Sequence, residues 1–161
     1  MKKHLAFSLI AIISVFLMDA REATAKKFVS GSSPSASSPL GPNSLRTDSG
    51  MQYKDIKVGE GKTPTKGRTV RIHFTSWLYP GGQKVDSTID RKTPYQFVVG
   101  YGMHNQGLDE ALLTMKEGGK RLLLIPPELA FGKKGAGNKI PPNATLKYEV
   151  ELLHVLAPNE R

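Results

Sequence analysis

The sequence predicts an α+β domain in which an antiparallel β-sheet packs against one short α-helix. Three observations support this fold class. Several segments after Gly50 alternate apolar and polar side chains with a period of two, as half-buried strands do. One segment among them spaces its apolar residues as a helix does. Clusters of Pro and Gly separate the segments, so that each strand ends at a turn.

The first three predicted strands lie between residues 69 and 99. In TVRIHFTSW, residues 69–77, apolar side chains alternate with polar ones at Val70, Ile72 and Phe74. Pro80, Gly81 and Gly82 then predict a turn, and Val85 opens a second, short strand. A third strand is indicated by alternation at Tyr95, Phe97 and Val99.

The helix is predicted over residues 108–117. Apolar residues there fall at helical spacing, at Leu108, Ala111, Leu112 and Met115. Asn105 is a residue type that caps helix N-termini, and Gly118 and Gly119 predict the end of the helix.

Two further strands complete the sheet. Residues 120–125, KRLLLI, predict a buried strand that ends at Pro126 and Pro127. The last strand alternates cleanly, with one face made of Leu146, Tyr148, Val150 and Leu152. Several strands and one helix favour a helix packed on one face of an antiparallel sheet.

The first 25 residues predict a secretory signal peptide. Lys2 and Lys3 precede an apolar run over residues 5–18, and Ala23-Thr24-Ala25 supplies small residues at a cleavage site. The alternative is an uncleaved membrane anchor, but the apolar run is shorter than the roughly 20 residues that span a bilayer. We therefore expect cleavage after Ala25, no stable membrane anchor, and a protein that is periplasmic or secreted.

Three further segments follow the signal. Residues 26–49 are rich in Ser, Pro and Gly and carry few large apolar side chains, which predicts a flexible tether. Residues 50–157 form the predicted folded domain, and residues 158–161 form a short tail. The tether has no heptad or amphipathic pattern, so we expect a monomer.

Composition excludes several kinds of chemistry. The chain has no cysteine, and hence no disulfide, thiolate nucleophile or cysteine metal site. The histidines lack the spacing of metal ligands, so no metal or other cofactor is expected. The net charge is +9, but Lys133, Lys134 and Lys139 lack interleaved aromatic residues, which favours a solvated loop over nucleic-acid binding.

Five segments, in this order, resemble the FKBP family of immunophilins: MQYKDIKVGEGKTPTKG, VRIHFTSWL, KVDSTIDRKTPYQF, LDEALLTMKEGGKRLLLIPPELAFG and KIPPNATLKYEVELL. The resemblance covers residues 50–157. It implies a curled antiparallel sheet wrapped around one short helix. It also implies a peptidyl-prolyl cis–trans isomerase that binds proline-containing polypeptide segments and macrolides and requires no acid, base or metal.

The resemblance also implies a set of site residues. The catalytic residues would be Asp86, Phe97, Tyr148, Phe74 and Tyr95. The substrate would contact Val85, His104, Asn105, Leu108, Phe131 and Ile140, with the Asn105 backbone N–H as a donor to a carbonyl. As alternatives, each aromatic side chain would be ordinary core and Asp86 would cap the turn into Ser87.

Several site positions depart from the family pattern. Phe74 and Phe131 stand where tyrosine is common, Val85 where phenylalanine is common, and Leu108 where the family has a tryptophan floor. A hydroxyl lost at Phe131 removes a hydrogen bond of about 0.5–1.5 kcal/mol. Two functions therefore stay open: an isomerase assisting the folding of exported proteins, and a catalytically weak peptide-binding module or chaperone. Weak macrolide binding is expected in either case.

Overall fold

The computed structural model describes residues 33–34 and 38–157. The predicted signal peptide, the start of the tether and the C-terminal tail lie outside these residues. The strands are β1 (Ser33–Pro34), β2 (Leu45–Arg46), β3 (Gln52–Lys57), β4 (Thr69–Tyr79), β5 (Lys84–Ser87), β6 (Tyr95–Val98), β7 (Lys120–Ile125) and β8 (Thr145–Val155). The one α-helix is α1 (Gln106–Leu112), and two 3₁₀ turns follow β7, Pro127–Leu129 and Gly132–Lys134.

All strand pairs are antiparallel and form one sheet, in the order β1-β2-β3-β7-β8-β4-β5. β6 pairs with the start of β4, on Thr69–Ile72, while β5 pairs with its later part. The register shifts in three pairs, β3/β7, β4/β5 and β4/β8. Such bulges bend a strand and increase its twist, which curls the sheet around the helix. The predicted fold class is confirmed.

The inner face of the sheet carries the predicted alternation. Val70, Ile72 and Phe74 on β4 are buried, as are the apolar residues of β8, Leu146, Tyr148, Val150 and Leu152. The apolar side of α1 packs against them through Leu108, Ala111 and Leu112. The helix approaches β7 so closely that a Cβ at Gly107 would lie 2.5 Å from Ile125 Cγ2.

The helix has the predicted cap at Asn105, but it begins two residues before the predicted range, at Gln106, and ends earlier than predicted. The side chain of Asn105 caps it, because Oδ1 accepts from the backbone N–H of Leu108 at 2.8 Å. It ends at Leu112 rather than at residue 117. The hydroxyl of Thr114 and the guanidinium of buried Arg121 both donate to the carbonyl of Ala111, which takes this acceptor away from a further helical turn.

The segment predicted as a tether is folded in its described part. β2 pairs with β3, so Leu45–Arg46 extends the edge of the sheet. Leu40 and Ser44 are buried, and Leu40 lines one cavity together with Trp77 and Leu124. A free sheet edge and an apolar surface thus order a segment whose composition alone favours disorder. The folded unit includes residues 38–49 as well as the predicted residues 50–157.

Within residues 33–34 and 38–157, no helix has both the length and the apolar character needed to cross a membrane.

Candidate active site

Six rings from five parts of the chain form one continuous cluster. Phe74 lies on β4, Tyr95 and Phe97 on β6, Tyr148 on β8, His104 just before α1, and Phe131 between the two 3₁₀ turns. The centroid of His104 lies 5.2 Å from Phe74, 5.6 Å from Tyr95, 6.0 Å from Tyr148 and 6.3 Å from Phe131. Tyr95 stacks on Phe97 at 5.1 Å. His104 is therefore the hub of the cluster.

The cluster has a buried floor and a partly open side. Phe74, Phe97 and Tyr148 are at most 4% exposed, and Leu108 beneath them is fully buried. Tyr95, His104 and Phe131 are half-buried. The floor residues are thus core residues, and their role in a site stays a prediction. The half-buried rings are the ones a bound segment would reach first.

Val85 and Ile140 are buried and belong to the same apolar cluster. A hydrogen bond joins their two segments, because Lys139 Nζ donates to the carbonyl of Val85 at 3.3 Å. An antiparallel bridge between Ala136 and Ile140 closes the loop that carries Lys139. This loop belongs to the basic segment noted in the sequence. Lys133, Lys134 and Lys139 are all exposed.

A hydrogen-bonded triad joins the floor to the start of the helix. The Tyr148 hydroxyl lies 3.0 Å from Nε2 of His104 and accepts from Nδ2 of Asn105 at 3.2 Å. Asn105 is 3% exposed. Its side-chain amide caps the helix through Oδ1 and donates to the tyrosine hydroxyl through Nδ2. These bonds satisfy polar groups that would otherwise be buried without partners.

The two titratable groups of the triad are both held neutral by burial. Burial lowers the pKa of His104 below its ordinary value, against the opposing pull of the Asp86 and Asp109 carboxylates. Burial raises the pKa of the Tyr148 hydroxyl well above its ordinary value, although hydrogen bonds from Ser76 and Asn105 act in the other direction.

Comparison with known proteins identifies the family. Residues 60–153 match the FKBP-type peptidyl-prolyl cis-trans isomerase family. The chain belongs to this family. An FK506-binding protein of Neisseria meningitidis serogroup B is 47% identical over 106 residues, which are 66% of this chain and 96% of the relative. A probable FKBP-type peptidyl-prolyl cis-trans isomerase of Haemophilus influenzae is 40% identical over 115 residues, 71% of this chain and 46% of the relative.

Two solved structures share the fold. The crystal structure of AtFKBP13 is similar with a TM-score of 0.65 and 35% identity, covering 69% of this chain and 97% of that one. The crystal structure of FkpA from Escherichia coli is similar with a TM-score of 0.67 and 35% identity, covering 74% of this chain and 53% of that one. The expected isomerase family and the curled sheet are both confirmed.

In this FKBP-type domain Asp86 has two partners, one of which the sequence analysis missed. Asp86 Oδ1 accepts from the backbone N–H of Ser87 at 2.8 Å, which is the turn-capping role considered above. The same oxygen pairs with Nη1 of Arg91. Arg91 follows Asp86 by five residues, in the turn after β5. A cationic side chain so close in sequence to a candidate site carboxylate could have indicated this ion pair.

The FKBP-type site also contains a backbone donor. The N–H of Asn105, just outside the first helical turn, donates to no acceptor among the described residues. It lies one residue from His104, at the centre of the ring cluster. A carbonyl group of a bound segment could accept this hydrogen bond.

The described histidines go to three separate places in the FKBP fold. His73 Nδ1 contacts the hydroxyl of Thr88 at 2.9 Å, and His154 Nδ1 pairs with Glu117 at 3.1 Å. His104 alone lies in the ring cluster. Within residues 33–34 and 38–157, no three His, Asp or Glu side chains are grouped as metal ligands.

Proposed function

We propose that the domain isomerises X–Pro bonds of exported polypeptides by non-covalent stabilisation of the twisted amide in the ring-lined site. The observation that carries this proposal is the continuous cluster of six rings with a buried floor and three half-buried rings at its open side. Proline is an apolar ring, and such a surface suits it in both isomers.

The reaction matches the chemistry of these side chains. Rotation about the peptide C–N bond faces a barrier of about 18–20 kcal/mol because resonance gives the bond partial double-bond character. The planar amide is more charge-separated than the twisted one, so water stabilises the ground state more. A dry, ring-lined site removes that water and lowers the barrier without a covalent step.

Polar groups at the edge of the cluster would orient the segment. The free N–H of Asn105 is suited to a substrate carbonyl. The half-buried carboxylate of Asp86 pairs with Arg91 and lies close enough to His104 to act on its pKa, in the upward direction. Hydrogen bonds that fit the twisted amide better than the planar one add to the rate. Val85 and Ile140 supply apolar walls.

A prolyl peptide exchange assay tests this proposal. Purified protein is added to a short X–Pro peptide, and cis–trans exchange is followed by NMR exchange spectroscopy. We expect acceleration over the uncatalysed rate, which is on the order of one event in tens of seconds. Peptide binding without acceleration would instead support the catalytically weak binding module, an outcome that the missing hydroxyl at Phe131 favours.

The exported location rests on the N-terminal sequence. We propose that residues 1–25 are a cleaved signal peptide, that residues 26–32 link it to β1, and that residues 158–161 are a tail. Mass spectrometry of the protein from cells tests this, with a mature N-terminus at Lys26 expected. An intact N-terminus in the mature protein would contradict export by cleavage.

A further inference from the structure

We propose that His104 is a catalytic hydrogen-bond donor, whose Nδ1–H, fixed by Tyr148, meets the prolyl nitrogen as the X–Pro bond twists. This inference rests on the proposed isomerase function and assigns His104 a chemical role beyond lining the site. It follows from the hydrogen bonds of three side chains, taken in order.

Two hydrogen bonds fix the orientation of the Asn105 amide. Its Oδ1 accepts from the backbone N–H of Leu108 at 2.8 Å, so the oxygen faces the helix. Its Nδ2 therefore faces Tyr148 and donates to the hydroxyl oxygen at 3.2 Å. An amide nitrogen only donates, so Asn105 cannot receive the tyrosine proton.

The neighbours of the Tyr148 hydroxyl decide where its proton points. The hydroxyl has two neighbours in hydrogen-bonding geometry, Asn105 Nδ2 and His104 Nε2. Ser76 also acts on Tyr148: its hydrogen bond lowers the pKa of the tyrosine, which is the effect of a donor, and the same hydroxyl lies 3.4 Å from the backbone carbonyl of Asp86. The tyrosine proton therefore points to His104 Nε2, which must be unprotonated to accept it. A neutral imidazole that accepts at Nε2 carries its proton on Nδ1.

The Nδ1–H of His104 lies on the edge of the ring away from Tyr148. Nδ1 of His104 has no acceptor among the described residues. Three side-chain atoms there are fully buried without a hydrogen-bond partner, Ser44 Oγ, Gln52 Oε1 and Asp109 Oδ1, and Nδ1 is not one of them. Nδ1 is therefore accessible from outside the protein. The edge of His104 facing Tyr148 is bonded, and the remaining N–H is available to a ligand.

The charges around His104 keep this arrangement near neutral pH. Asp86 on β5, itself paired with Arg91, and Asp109 on α1 are the carboxylates that favour the imidazolium. Tyr95 on β6 and Tyr148 on β8 contribute uncharged rings. Burial outweighs the two carboxylates and lowers the pKa of His104.

A donor at this place can act on the barrier itself. In the planar amide the nitrogen lone pair is delocalised and accepts poorly; in the twisted amide it is localised on nitrogen and accepts well. A bond to that nitrogen is therefore stronger in the transition state than in the ground state, which raises the turnover rate rather than the affinity. The family tyrosine hydroxyl is absent at Phe131, whose ring faces His104 edge-on.

Three substitutions separate the two edges of the imidazole. Asparagine places an amide N–H near the position of Nδ1, glutamine places its amide near the position of Nε2, and valine has neither group. We expect His104→Gln and His104→Val to lower the on-enzyme exchange rate by about three- to tenfold. Peptide affinity should change less than twofold, and His104→Asn should keep most of the rate. His154→Gln, far from the site chemistry, is the matched control and should match the parent.

The outcomes are distinguishable. If the parent fails to accelerate exchange, the proposed function fails and this inference fails with it. If the parent is active and His104→Gln retains its rate while His104→Asn loses it, only this inference is overturned, because the role is then to brace Tyr148. Thermal unfolding of each variant confirms folding. A ¹⁵N NMR spectrum of the parent ring provides a test without substitution: protonation at Nδ1 supports the inference, and protonation at Nε2 overturns it.

Discussion

The hydroxyl of Tyr148 lies 3.0 Å from Nε2 of His104, at the boundary between the core and the open side of the ring cluster. Tyr148 comes from the middle of β8, and His104 from the loop before the helix, 44 residues earlier. Asn105, the helix cap, bonds to the same hydroxyl. One polar atom therefore ties the sheet, the helix start and the candidate site together.

Removal of that hydroxyl should destabilise the fold. Tyr148→Phe leaves Asn105 Nδ2 and His104 Nε2 without their partner in a buried place, and such groups cost about 1–3 kcal/mol. Denaturant unfolding measures the change. Tyr101→Phe is the control, because Tyr101 is 66% exposed and should change the stability by less than about 0.5 kcal/mol. Equal effects of the two substitutions would contradict the buried role of the Tyr148 hydroxyl.

The ion pair of Asp86 and Arg91 should matter more for activity than for stability. Both side chains are over one third exposed, and such pairs contribute about 0–1 kcal/mol. Asp86→Asn keeps an acceptor for the Ser87 N–H and removes the charge, so we expect a folded protein with a severalfold lower exchange rate. Lys84→Gln, which breaks the exposed pair with Asp90, is the control. An unchanged rate in Asp86→Asn would remove Asp86 from the site.

A hydroxyl restored at position 131 should strengthen macrolide binding. The ring of Phe131 is half-buried at the open side, so Phe131→Tyr adds a polar group without filling the core. We expect weak tacrolimus binding by the parent and tighter binding by the variant, by about 0.5–1.5 kcal/mol for one new hydrogen bond. Isothermal titration calorimetry measures both. Nanomolar binding by the parent would show that the missing hydroxyl does not limit the site.

His104 should make the fold less stable in acid. Its pKa is lowered by burial in the folded protein. On acidification the histidine is therefore protonated in the unfolded chain at a higher pH than in the folded protein. Stability is therefore lost as the pH falls through about 6.5, the ordinary histidine pKa, towards the lower folded value. His104→Gln lacks this proton uptake, so the parent should lose stability relative to the variant between pH 7.5 and pH 5. Parallel pH profiles of the unfolding free energy would contradict the prediction.

The folded part of the predicted tether should contribute to stability. A protein beginning at Gly50 lacks the buried side chain of Leu40 and the strand β2. We expect it to be less stable than one beginning at Ser38 by about 1.5–3 kcal/mol, the range for burial of one large apolar side chain. In the longer protein Leu40→Ala should reproduce part of the loss. Equal unfolding midpoints would mean that residues 38–49 do not stabilise the domain.

Local pattern was sufficient for most of the fold. The alternation in β4 and β8 and the cap at Asn105 could be predicted because period and capping depend on neighbours in sequence. The end of the helix could not, since it depends on Arg121, which reaches the carbonyl of Ala111 from β7. The ordered segment around Leu40 was missed for the same reason: its composition is that of a linker, and its partners lie on distant strands.

The sequence by itself determined the last five of the eight described strands, the cap of the helix, the family and the residue types available to a site. Only the tertiary structure decided what those residues do together. It placed Arg91 on Asp86 and made His104 the centre of six rings. It also set the Tyr148 hydroxyl 3.0 Å from Nε2 of His104, the contact from which we infer that the histidine N–H faces outward. The physical reason is range: propensity and period act within a few residues, whereas a proton's position depends on every donor and acceptor that folding brings within about 3 Å.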